Sequence, residues 1–233
     1  MLVKLIGVSG YTPFPSKTAK LYTSCRIFYG KSSIQIDVGN PWSGPPVDAL
    51  LISHMHFDHI DELKSVPAGQ NVFIPSLSFH PVLTAKNPEL NYRVFKGWTS
   101  VGKIKISSFP VLHSSTSLTY GFKFSIGGKT LVWVPDWCII PDYIGHFKDA
   151  DYLFLGAAAM KKAIRHKGYG HCQAPVEPIL KSISEMKKPP KKIFLIHYGM
   201  ALRPINVKVS YLQKKFPSLK IERTRDGQIL DLF

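Results

Sequence analysis

Apolar runs of strand length, broken by turn residues, dominate the start of the chain: Val3 to Val8, Arg26 to Tyr29, Ser33 to Val38 and Ala49 to Ser53. Runs this short, with such boundaries, predict strands. Asp37-Val38-Gly39-Asn40-Pro41 closes the third run with turn chemistry, and Gly44-Pro45-Pro46 makes a second break before the fourth. From Asp58 to Val66 the period changes, because Ile60, Leu63 and Val66 fall at helical spacing. Strands then return at Asn71 to Ile74, Lys103 to Phe109, Gly121 to Ile126 and Thr130 to Val134, with Gly127-Gly128 a hairpin signal between the last two. Ala150 to Leu155 predicts another strand. Ala174 to Met186 predicts a helix with Val176, Ile179, Leu180 and Ile183 on one face, stopped by Pro189-Pro190. Lys192 to Ile196 then predicts a buried strand, and Ile221 to Phe233 a closing hairpin turned at Asp226-Gly227.

Strands followed by a helix, then strands followed by a helix, make a coarse doubling. It predicts an α/β protein in which two sheets pack face to face with helices outside and loops gathered at one edge. At 233 residues with no composition shift, the chain is expected to form one domain over 1–233. No apolar stretch approaches the ~18 residues needed to span a bilayer, so no membrane partner is expected. Met1 to Val8 reads as a first strand rather than a secretion signal, which makes a cytoplasmic location the expectation. Cys25, Cys138 and Cys172 are odd in number and widely spaced, so reduced, buried thiols are expected. A formal charge of +15 fits a polyanionic partner, though scattered lysines also serve solubility. The denser basic spots are Lys161-Lys162 with Arg165-His166-Lys167, and Lys187-Lys188 with Lys191-Lys192.

Chemistry concentrates at His54-Met55-His56-Phe57-Asp58-His59, where four metal-binding side chains sit within six residues. A strand would send alternate residues to opposite faces and a helix would splay neighbours by about 100°, so a loop between strand and helix must aim them together. So many local ligands suit two adjacent cations better than one tetrahedral ion. Three more candidates repeat the grammar of apolar strand and then ligand: His113 after Phe109 to Leu112, Asp136 after Leu131 to Pro135, and His197 after Ile193 to Ile196. His80, His146 and His166 lack that context and read as surface or substrate-edge residues. Trp133 and Trp137, flanking Asp136, fit either core packing or a pocket wall.

On these residues the chain resembles the metallo-beta-lactamase superfamily of hydrolases, from Asp37 through His197, closest in motifs to its ribonuclease Z and cyclic-phosphate phosphodiesterase branches. The resemblance implies a four-layer αββα sandwich with two mixed sheets and a binuclear site at one edge. It implies that His54, His56 and His113 hold one divalent ion, that Asp58, His59 and His197 hold a second, and that Asp136 bridges them. Asp37 matches an early structural aspartate that orients the histidine loop. Gly170-His171-Cys172-Gln173 resembles a segment whose histidine contacts the scissile phosphate or protonates the leaving oxygen, so Asp58 and His171 are expected to take part in the chemical step. His171 on its own would read as a surface or capping histidine. The cysteine-rich insertion of the cyclic-phosphate enzyme has no counterpart near Thr12 to Arg26, and no long basic arm like that of ribonuclease Z is visible.

The implied function is hydrolysis with a metal-bridging hydroxide as nucleophile, between ions about 3.5–4 Å apart. Zinc is the first expectation, with manganese or iron also compatible with His and Asp ligands. Two carboxylates among seven ligands leave the site positive, which favours an anionic phosphodiester: a cyclic phosphate, a nucleotide, RNA or DNA. A carboxylic ester, thioester or lactone is the alternative substrate, and a homodimer is a possible assembly. Aspartate rather than cysteine among the second ligands argues against antibiotic hydrolysis.

Overall fold

A computed structural model describes residues 1–10, 19–114, 117–160, 163–166, 171–198 and 209–233, without the side chains of 164–166 and 171. In chain order the first half contains β1 (Leu2–Gly7), β2 (Ser24–Tyr29), β3 (Ser32–Ile36), β4 (Ala49–Leu51), α1 (Phe57–Ile60), β5 (Asn71–Ile74), α2 (His80–Lys86) and β6 (Asn91–Val94). The second half contains β7 (Thr99–Val101), β8 (Ile104–Val111), β9 (Thr119–Ile126), β10 (Lys129–Val134), α3 (Tyr143–Phe147), β11 (Tyr152–Gly156), β12 (Ile164–His166), β13 (His171–Gln173), α4 (Val176–Ser184), β14 (Lys192–Ile196), α5 (Val209–Lys215), β15 (Ile221–Arg223) and β16 (Ile229–Asp231).

The strands form two seven-stranded mixed sheets, ordered β16-β1-β2-β3-β4-β5-β6 and β15-β14-β11-β10-β9-β8-β7. Each sheet is antiparallel on one side and parallel on the other: β3 to β6 run parallel in the first, β10, β11, β14 and β15 in the second. The doubling read from the sequence is therefore real at the level of topology. One contiguous core joins Leu5, Ile27, Ile34, Ile36 and Leu51 of the first sheet to Ile106, Phe122, Phe124 and Trp133 of the second, with Val176, Leu180 and Ile183 of α4 in the same cluster. A second cluster packs Leu50, Ile52, Val72 and Ile74 against Ile60, Leu63, Val66 and Leu83, so helices cover the other face of the first sheet. Strands β4 and β14 are buried on both faces, which explains why they read as continuous apolar runs rather than alternating ones.

Three sequence expectations need correction. Ile221 to Phe233 is not a hairpin: β15 joins the second sheet beside β14, and β16 crosses to pair antiparallel with β1. The turn at Asp226-Gly227 is present, but Asp226 is committed elsewhere, its carboxylate accepting from the backbone N–H of Val8, Lys20 and Leu21. The helix at Asp58 to Val66 breaks into α1 and a 3-10 turn over Asp61–Ser65, with Glu62 off helical geometry. Cys138 and Cys172 are not free thiols; they form a disulfide with Cα atoms 5.4 Å apart, and only Cys25 remains reduced and buried. Spacing could not reveal that pair, because the bond joins the loop after β10 to β13, segments that only the fold brings together. Among the described residues no helix is long and apolar enough to cross a membrane.

Candidate metal centre

All the candidate ligands leave the C-terminal ends of strands. His54 to His59 follow β4, His113 follows β8, Asp136 follows β10 and His197 follows β14. Parallel register at β3/β4 and at β10/β11/β14 forces those ends to one edge of the sandwich. The two halves are tied there by backbone bonds from Tyr198 N–H to the Val8 carbonyl, 2.8 Å, and from Gly10 N–H to the Tyr198 carbonyl, 2.9 Å. Asp37 and His197 hold φ of 57° and 54°, a left-handed conformation that non-glycine residues rarely adopt. Gly39 lets the two loops close: a Cβ there would stand 1.8 Å from the carbonyl oxygen of Asp58.

The side chains meet as two groups around one carboxylate. His54 Nε2 lies 2.9 Å from His56 Nδ1, and His113 Nε2 lies 3.3 Å from the same atom. Asp58 Oδ2 is 3.7 Å from His59 Nε2 and 3.5 Å from His197 Nε2. Asp136 stands between, its Oδ2 2.8 Å from His59 Nε2, 3.0 Å from His197 Nε2 and 3.7 Å from His54 Nε2. Ligands about 2.0–2.1 Å from a tetrahedral ion stand roughly 3.4 Å from one another, which matches these spacings. The atoms His59 Nε2, His197 Nε2 and Asp136 Oδ2 are buried without a hydrogen-bond partner among the described residues. Buried polar atoms are ordinarily satisfied, so converging lone pairs without donors are what a cation site requires.

Neighbouring acceptors fix the imidazole tautomers. Asp37, fully buried, accepts from Ser53 N–H at 2.8 Å, Ser53 Oγ–H at 2.7 Å and His59 Nδ1–H at 2.7 Å. With its proton given to Asp37, Ser53 Oγ accepts from His54 Nδ1–H at 3.0 Å. His113 Nδ1–H donates to the Cys172 carbonyl at 2.7 Å. In the neutral ring each contact takes the Nδ1 proton and turns a bare Nε2 into the site, the arrangement that orients ligating histidines.

Electrostatics separates the two groups. Burial, with His59 and His56 beside it, holds His54 well below the usual histidine range, and burial lowers His113. Burial opposes charge on His59 and His197 too, but carboxylates outweigh it: Asp58 and Asp37 raise His59 well above its usual value, and Asp136 lifts His197 to about 9. Asp136 itself, despite burial, is held well below the carboxylate range by His197 and His113, and Asp58 is lowered by His59.

The structure brings together His54, His56, Asp58, His59, His113, Asp136 and His197, and Asp37 behind them. The backbone of His171 is on β13, paired with His166, and its side chain lies outside the described residues. His146 stacks on Phe109 at 3.9 Å and His80 is exposed at the start of α2, and neither belongs to the ligand groups. Trp133 and Trp137 are core residues, the latter donating from Nε1 to the Gly156 carbonyl. Lys161, Lys162 and Lys167 lie outside the described residues. Lys191 and Lys192 sit at the start of β14, the end opposite His197, where Lys191 pairs with Asp151 and Lys192 with Glu222. Sequence reasoning missed Ser53, the Cys172 carbonyl and Gln173, whose Nε2 donates to Asp136 Oδ1. Ser53 is signalled only by adjacency to the motif.

A four-layer sandwich with a buried His/Asp cluster at one edge defines a metal-dependent hydrolase scaffold. Residues 33–198 match the beta-lactamase superfamily domain, and the chain belongs to that family. Its fold is similar to the metallo-beta-lactamase fold protein YhfI from Bacillus subtilis, with a TM-score of 0.74 and 15% identity over 98% of both chains. It is also similar to isothiocyanate hydrolase from Delia radicum gut bacteria, with a TM-score of 0.70 and 16% identity over 99% of both chains. The short form of human tRNase Z gives a TM-score of 0.68 and 12% identity over 100% of both chains. No curated protein matches the chain.

Proposed function

We propose that the protein is a binuclear metal-dependent phosphodiesterase acting on a cyclic phosphate, a nucleotide or a nucleic acid strand. The observation that carries this reading is the charge of the ligand set: five imidazoles and only two carboxylates converge at a buried edge. Two divalent ions held there keep an uncompensated positive charge facing substrate, which favours a phosphodiester anion. His54, His56 and His113 would hold one ion and Asp58, His59 and His197 the other, with Asp136 shared. When bound, such ions supply an activated water and charge compensation for the attacked and leaving oxygens. Asp37 and Ser53 keep the imidazoles oriented, and the left-handed backbone at His197 turns its ring inward. His171 is the proton donor to the leaving oxygen, a role an imidazole with pKa near ~6.5 fills at neutral pH. The fold likeness to tRNase Z supports the scaffold, not the substrate.

A carboxylic ester, thioester or lactone is the second reading. It is favoured by apolar side chains exposed beside the ligands: Phe57 within the motif is 43% exposed and Leu118, on the segment after His113, is 53% exposed. Turnover of bis(p-nitrophenyl) phosphate and of p-nitrophenyl acetate, each with added zinc or manganese, separates the two. Metal-dependent phosphodiester hydrolysis that inorganic phosphate inhibits supports the first reading. With two ions bound per chain and only the ester turned over, the first reading fails.

A further inference from the structure

Asp136 offers two oxygens, and the protein treats them differently. Oδ2 faces His59, His197 and His54 at 2.8, 3.0 and 3.7 Å, whereas Oδ1 lies 3.7 Å from His113 Nε2 and takes a hydrogen bond from the amide of Gln173. Gln173 is 1% exposed, and its backbone is held on both sides. It pairs with Ile164 across β12 and β13; the next residue, Ala174, donates to the Trp137 carbonyl at 3.0 Å; and the preceding Cys172 is joined to Cys138, two residues beyond Asp136. Cys172 also binds His113 twice, its N–H donating to the His113 carbonyl at 2.9 Å while its own carbonyl takes His113 Nδ1–H. A buried glutamine on a strand clamped this way has little freedom to leave the carboxylate.

We propose that Gln173 is a positioning residue for the metal centre: by donating to Oδ1 it fixes the orientation in which the Asp136 carboxylate would be offered to the two ions. A carboxylate free to rotate would offer its two oxygens to the ligand groups in more than one way. Gln173 limits that freedom by giving Oδ1 a donor of its own. The role rests on the binuclear reading above.

The test compares wild-type protein with Gln173→Met, which keeps length and removes the donor, and Gln173→Glu, which keeps shape and sets a second carboxylate against Oδ1. Each is titrated with manganese, read by metal stoichiometry and by electron paramagnetic resonance of the loaded protein, with a thermal melt as the folding control. The expected result is two manganese ions per wild-type chain with a spin-coupled signal. Gln173→Met is expected to bind manganese 10–100-fold more weakly, the usual cost of losing a partner that orients a ligand, with altered coupling. Gln173→Glu is expected to be at least as weak. A variant that melts lower yet binds two ions with wild-type affinity and an unchanged coupled spectrum would show a packing role only and overturn the proposal. Wild-type protein that binds one ion would overturn the binuclear reading itself, and this inference with it. If Gln173→Met does not fold, Gln173→Glu alone decides by the same two readouts.

Discussion

Reducing the Cys138–Cys172 disulfide is expected to cost stability and to loosen the metal centre together. The bond closes a segment with a sequence separation of 34, which spans α3, β11, β12 and part of β13. In the chain-entropy description a loop of that length removes enough freedom from the unfolded chain to stabilise the fold by about 4 kcal/mol. For a chain of this size each kcal/mol moves the melting temperature by roughly 2–4 °C, so reduction should lower it by roughly 8–16 °C. The same change releases Cys172, the residue whose carbonyl fixes the tautomer of His113.

Melting followed by circular dichroism, with and without a phosphine reductant, measures the first effect; Cys138→Ser is the covalent control and should reproduce it. Manganese titration of both forms measures the second. Thiol counting in denaturant sets the premise: one thiol, Cys25, should react before reduction and three after it. Three reactive thiols in unreduced protein would refute the pairing. One reactive thiol together with a melting shift under about 2 °C would refute the energetic argument, and unchanged metal affinity would refute the link to His113.

Gly39→Ala places a methyl group 1.8 Å from the Asp58 carbonyl oxygen, so the ligand turn must move; overpacking of this kind costs about 1–3 kcal/mol, and metal analysis should find less bound ion along with a lower melting temperature. Asp37→Asn keeps a residue tolerant of the left-handed conformation but removes the carboxylate that accepts His59 Nδ1–H, so metal affinity should fall 10–100-fold by titration; wild-type affinity would show that Asp37 serves the backbone alone. His56→Ala and Asp136→Ala should abolish metal-dependent turnover in the phosphodiester assay, whereas retained turnover would place the chemistry elsewhere. In chelator-treated protein, His197 has its pKa raised to about 9, against ~6.5 when unfolded. Its stabilising contribution is therefore complete below about pH 6.5 and lost as pH rises through about 9. Cations displace that proton, so calorimetry in buffers of different ionisation heat should record proton release on metal binding; heats independent of buffer would contradict the assignment.

What could be read from the sequence, and what could not, divides along one physical line. Strand ends followed by His or Asp are visible because side chains carry the signal, and the parallel pairs β3/β4, β10/β11 and β11/β14 then carry those ends to one edge. Short elements with half-exposed residues, such as Asn91–Val94, escaped because neither period is developed in four residues. The C-terminal strands were found but misassigned, since a run like Ile229–Asp231 does not say which sheet it will join.

The larger omission is the set of groups that orient the ligands, and its cause is chemical. His113 is held by a backbone carbonyl, which every residue possesses and which therefore leaves no mark in the sequence; only the fold shows that it is the carbonyl of Cys172. The doubled architecture explains why that support comes from far along the chain. In the first sheet Asp37, at the end of β3, reaches across to the loop after β4 and supports His59 and Ser53 directly. In the second sheet the corresponding ligands follow β8 and β10, and their support is supplied from β13, inserted between β11 and α4 and stapled to the Asp136 loop by the disulfide. One half of the site is thus oriented by a strand neighbour and the other by an insertion. Perturbing Asp37 should act on His59 directly and on His54 through Ser53, and perturbing β13 on His113 and Asp136, a separation that the histidine ring signals in nuclear magnetic resonance can resolve.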